Sequence, residues 1–110
     1  MYKLILAISA ITFSSLAFSA WDGTTTGKIK QIDVVPNDGD NAGFRVTLEY
    51  SPKLCGNDNS WAYINKSADN YQASVSLLLA TKMAGKEVTI YSNQKASWNN
   101  YCEIGYITFK

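Results

Sequence analysis

Between Phe44 and Tyr50 apolar and polar side chains alternate without interruption, with Phe44, Val46, Leu48 and Tyr50 set against Arg45, Thr47 and Glu49. A period of two is the spacing of a strand with one face buried and the other wet. Further along the period changes. Tyr71, Val75, Leu78, Leu79 and Lys82 or Met83 recur at intervals of three and four, the stripe of an amphipathic helix, and Gly85 stands where a helix-ending glycine belongs. Ser67 precedes this stripe as an N-cap candidate, with Asp69 placed to favour the positive end of the helix dipole.

Weaker signals fill in the order around these two elements. Thr26 to Val35 is rich in β-branched residues, with Ile32 and Val34 in phase and Ile29 out of phase, which reads as a strand with a bulge. Pro36 to Asn41 is a turn by composition, and the loop Ser51 to Ser60 leads into a short strand at Trp61-Ala62-Tyr63-Ile64. After the helix, Val88 and Ile90 alternate with Glu87, Thr89 and Tyr91. A polar loop, Ser92 to Asn100, then separates that strand from a last one at Ile104 to Phe109, with Ile104 and Tyr106 on one face and Ile107 and Phe109 on the other. The expected fold is therefore mainly β with one helix, in the order β-β-β-α-β-β. That is the order of the OB-fold, a five-stranded Greek-key barrel. An α+β sandwich of the same elements is the alternative, because element order does not fix strand pairing.

The first twenty residues stand apart from this pattern. Met1-Tyr2-Lys3 is a short positive start, Leu4 to Phe18 is uncharged and mostly apolar, and small residues follow, which is the layout of a secretory signal peptide cleaved after Ser19 or Ala20. Residues 21–110 then form a single domain, expected in the periplasm or outside the cell, with no second segment long enough to insert in a membrane. A domain of this size buries a modest core and benefits from a covalent staple. Cys55 and Cys102 are an even pair in an oxidising compartment and are expected to form a disulfide. They lack the C-x-x-C spacing of a redox-active pair.

With these elements in place, the chain resembles the cell-binding B subunits of bacterial AB5 toxins of the enterotoxin and subtilase-cytotoxin types. The likeness lies in layout: an exported OB-sized domain with one disulfide, a helix before the last two strands and little net charge. Leu54-Cys55-Gly56, Ser60-Trp61-Ala62-Tyr63, Leu77-Leu78-Leu79-Ala80 and Gly85 to Ile90 are also similar to stretches of small secreted proteins of Gram-negative bacteria, a likeness that brings no activity with it. The enterotoxin type has a cysteine near its mature N-terminus, whereas both cysteines here come later, and no ligand-binding residue of those toxins has a matching position. The first resemblance implies a homo-pentamer that binds glycans on a host surface.

Composition narrows the chemistry. The chain has no histidine, which removes histidine-based triads and the usual His/Cys zinc sites. Asp33, Glu49 and Glu103 alternate outward on strands as solvated charge, and no serine lies in a G-x-S-x-G or S-x-x-K context, so no catalytic residue and no enzyme are expected. Asp38, Asp40, Gly43 and Glu49 fit a calcium-loop spacing, but Ala42 occupies a ligand position and a strand follows, so no metal and no cofactor are expected either. From Trp21 onward nine basic side chains balance nine acidic ones, scattered along the chain, which disfavours nucleic acid as a partner.

Aromatics beside amides are what is left. Asn59, Trp61 and Tyr63 lie on or next to the third strand, and Trp98, Asn99, Asn100 and Tyr101 lie in or beside the loop before the last. Strands two and three, with the loops between strands one and two and between strands four and five, are the usual ligand face of an OB-fold. Flat rings suit sugar faces and planar amides suit sugar hydroxyls. The competing account is structural, with Trp61 and Tyr63 as packing and Trp98 covering the disulfide. Two functions follow: a glycan-binding module, or a periplasmic structural protein that pairs with another protein through strand edges or aromatic surface.

Overall fold

The computed structural model describes residues 21–36 and 43–110. Residues 1–20, read above as a signal peptide, and the centre of the turn, including Asp38, Asp40 and Ala42 of the calcium-loop spacing, lie outside the described residues. Five strands and one helix follow in the order β1 (Gly23–Val34), β2 (Phe44–Leu48), β3 (Trp61–Ile64), α1 (Tyr71–Ala84), β4 (Glu87–Lys95) and β5 (Tyr101–Thr108). The five strands close in a ring, β1-β2-β3-β5-β4 and back to β1, so each has a neighbour on both sides. All pairs are antiparallel except β3 with β5.

Ring closure depends on β1 serving two partners. Gly23 to Lys28 pairs with β4, and Ile29 to Val34 pairs with β2, with a register shift between Ile29 and Gln31. The extra residue turns the strand from one neighbour to the other and brings Ile29 and Ile32 to the same side, opposite Leu48 and Val46. The out-of-phase isoleucine in the sequence is this bulge. At the far end the Val35 amide donates to the Gly43 carbonyl at 2.9 Å, so the chain re-enters the sheet directly opposite the point where it left.

The alternation in β2 puts Phe44, Val46 and Leu48 in the core, but Tyr50, expected on the same face, is 95% exposed. The strand ends at Leu48, where the Ser51 amide donates to its carbonyl and Tyr50 and Ser51 take positive φ. The same kind of local event corrects β5. It starts at Tyr101 rather than Ile104, and its pairing with β4 slips between Tyr91 and Ser92, so that Ile104 and Ile107 face inward and Tyr106 outward. Ile104 and Tyr106 thus do not share a face. β4 runs on to Lys95, well into the stretch expected to be loop, and leaves only Ala96 to Asn100 as the hairpin turn.

The helix begins at Tyr71, four residues after Ser67. Asn65 is buried, and the amides of Ala68 and Tyr71 donate to Asn65 and Ala68, turns that hold the chain out of a helix until residue 70. Asn70 occupies the N-cap without capping through its side chain, which donates to the Gly105 carbonyl instead. The other end is as expected. Gly85 is left-handed at φ 67°, its N–H donates to Lys82, and the Lys86 N–H donates to Thr81, a Schellman closure. Packed beside β1 and β4, the helix sends Leu78 into the core with Ile64, Val88, Ile90 and the inward residues of β2. The expected stripe is rotated. Ser74, Leu78 and Thr81 are buried while Leu79 and Met83 are exposed at 43% and 87%, and the Thr81 hydroxyl is satisfied by the Leu77 carbonyl at 2.7 Å.

Candidate functional site

β3 is short and covered on both faces. Ala62 and Ile64 point into the core, so Trp61 and Tyr63 point outward, where Arg45 of β2 is the register partner of Tyr63. The parallel pairing of Ala62 with Cys102 sets Tyr101 of β5 alongside Trp61, and the turn after β4 folds Trp98 back onto both. Four rings meet here. Trp61 lies 4.9 Å from Tyr101 between centroids, and Trp98 stands edge-on to Tyr63, Tyr101 and Trp61 at 5.0, 4.8 and 6.3 Å. Pairs of this geometry contribute about 0.5–1.5 kcal/mol each beyond area burial. The Arg45 guanidinium rests over Trp61, 4.5 Å from a ring centroid.

All four aromatics singled out in the sequence therefore come together, though with unequal access. Tyr63 is 1% exposed and serves as the floor of the group, while Trp61, Trp98 and Tyr101 are half-buried and present ring surface. Beside them Lys95 and Glu103 pair at 3.7 Å across β4 and β5. Arg45 is the residue that sequence reading missed, because nothing in a strand's own alternation says which strand its polar face will lie beside.

The amides divide differently. Asn99 and Asn100 take positive φ, 52° and 57°, a conformation asparagine tolerates better than most residues, and this folds the hairpin turn. The Asn100 carbonyl accepts from the side chains of Asn57 at 2.9 Å and Asn59 at 3.2 Å, and the Asn59 amide N–H donates to Asn57 Oδ1. Asn59 and Asn100 thus latch the loop before β3 to the turn before β5, and Asn57 belongs to the same latch. The Cys55–Cys102 disulfide closes beneath it with a Cα separation of 5.4 Å, and Gln94 donates to the Cys55 carbonyl at 2.9 Å. Asn99 remains exposed at the tip. Trp98 is thereby held by the turn, whose Asn100 carbonyl the loop latches, and by the Tyr63 floor.

Among the described residues no three His, Cys, Asp or Glu side chains gather to hold a metal ion, and no helix is long and apolar enough to cross a membrane. Comparison of the chain with protein-family models, with curated proteins and with solved structures finds no match. The likeness to toxin B subunits accordingly rests on layout alone.

Proposed function

We propose that this protein is an exported, non-catalytic binding module that recognises a glycan through Trp61, Trp98 and Tyr101. The observation that carries the reading is the grouping of those three partly open rings around the buried Tyr63, with Arg45 stacked at one side. Sugar rings offer apolar faces that stack on such surfaces, and a platform fixed by a disulfide and an amide latch loses little entropy when it binds. Ring closure with a single parallel β3–β5 pair supports an OB-like barrel, and β3 with the β4–β5 turn is the part of that fold where ligands usually bind. The signal-peptide layout of residues 1–20 and the Cys55–Cys102 bond support an oxidising location, periplasmic or extracellular. On the toxin-B-like reading the module works as a homo-pentamer, which multiplies weak single-site affinity.

Two measurements on the oxidised protein test this. Light scattering should give the mass of a ring oligomer, and a glycan array should give signals that Trp98→Ala abolishes without loss of the fold. A monomer that binds nothing on the array contradicts the reading.

A further inference from the structure

On the other side of the ring, β1, β4 and β5 present a second ordered surface. Register stacks their outward residues in three rows: Thr24 with Tyr91 and Tyr106, then Thr26 with Thr89 and Thr108, then Lys28 with Glu87. Trp21 joins the first row. The Asp22 amide donates to Asn93 and its carboxylate accepts from the Gln94 amide, both at 2.8 Å, so the start of β1 is clamped to β4. The clamp sets the Trp21 ring over Gly105, where the sheet has no side chain, at 6.0 Å from Tyr91, which is itself 4.8 Å from Tyr106. In the middle row the hydroxyls of Thr26 and Thr89 hydrogen-bond at 2.7 Å.

The third row opens into a cleft of about 620 Å³ whose lining includes Lys28, Lys86 and Lys110. None of these three ammonium groups has an ion pair among the described residues, and Glu87 is the one acidic side chain in the lining. In a domain whose nine basic and nine acidic side chains balance overall, three cationic side chains against one anionic are a local positive excess of side-chain charge. The outer rows lie four residues apart along β4, about 13 Å at the usual strand rise. Flat rings, then hydroxyls, then unpaired cations follow one another along a strip far longer than one small anion.

We propose that this face binds an extended saccharide bearing sulfate or phosphate esters. Sugar rings stack on Trp21, Tyr91 and Tyr106 and hydrogen-bond the threonine row, while the ester oxyanions sit among Lys28, Lys86 and Lys110. The surface shares no residue with the Trp98 platform and does not depend on it.

The test is titration of the oxidised protein, followed by tryptophan fluorescence, with three probes: a heparin hexasaccharide, the same hexasaccharide desulfated, and a mannose pentasaccharide bearing 6-phosphate. Binding of the sulfated or the phosphorylated probe, at least ten-fold weaker for the desulfated one and weakened as salt rises, is expected, and which charged probe binds identifies the ester. The variant carrying Lys28→Ala, Lys86→Ala and Lys110→Ala should lose binding, Tyr106→Ala should weaken it several-fold, and Trp98→Ala should leave it unchanged. Failure of both charged probes, retention of binding by the triple-lysine variant, or indifference to Tyr106→Ala would each overturn the proposal. Loss on Trp98→Ala would move the interaction to the other face.

Discussion

The indole of Trp98 stands edge-on to the buried ring of Tyr63, with centroids 5.0 Å apart and planes at 84°. An exposed hairpin turn is thereby tied to the outer layer of β3, so a half-buried turn residue is also part of the packing. Trp98→Ala is expected to lower unfolding free energy by about 1–4.5 kcal/mol, two or three aromatic pairs' worth, while glycan binding disappears. Urea unfolding beside array binding separates the effects. Trp98→Phe should recover most of the stability and only part of the binding.

The latch predicts a graded response. In the chain-entropy model, removing the disulfide with Cys55→Ser and Cys102→Ser should cost roughly 3–4 kcal/mol. Asn57→Ala and Asn59→Ala should each cost about 0.5–1.5 kcal/mol, the usual net worth of a hydrogen bond. Chemical denaturation of the three variants should preserve that ranking.

Leu77-Leu78-Leu79 is a direct test of the helix orientation. Leu78→Ala, at a fully buried site, should cost about 2–5 kcal/mol. Leu79→Ala and Met83→Ala, on the exposed face, should stay within about 0.5 kcal/mol of the parent protein. Equal losses at Leu78 and Leu79 would mean that the helix is rotated from the position described.

Two glycines should respond differently to alanine. At Gly85 an added Cβ meets nothing within 4 Å, so Gly85→Ala carries only the cost of positive φ, about 1–2 kcal/mol. At Gly105 the Cβ would overlap the Trp21 indole, so Gly105→Ala should displace that ring and shift tryptophan emission as well as lower stability. A melting curve for each variant and an emission spectrum of Gly105→Ala check this.

The elements readable in the sequence were those whose own periodicity decides them. Phe44, Val46 and Leu48 declare β2, Gly85 declares the end of α1, and the phase break at Ile29 declares the β1 bulge. Where a distant partner decides, local periodicity misleads. The carbonyl of the buried Asn65 holds a turn at Ala68 that moves the helix start from Ser67 to Tyr71, and the register slip against β4, with Gly105 as the extra residue, reverses the face of Tyr106. Which of three consecutive leucines is buried depends on where β1 and β4 lie. The site shows the same division: Trp98 was identifiable as an aromatic in a polar loop with no core periodicity to absorb it, whereas the burial of Tyr63, the stacking of Arg45 and the latching role of Asn59 follow from the pairing of β2 with β3 and from the Asn100 carbonyl.

The central claim is that the open rings of Trp61 and Trp98 receive a glycan, and the indole N–H resonances of the three tryptophans test it most directly. Titration with the strongest glycan from the array should shift the Trp61 and Trp98 signals together and saturably. Saturation of binding with both of those signals unmoved would contradict it.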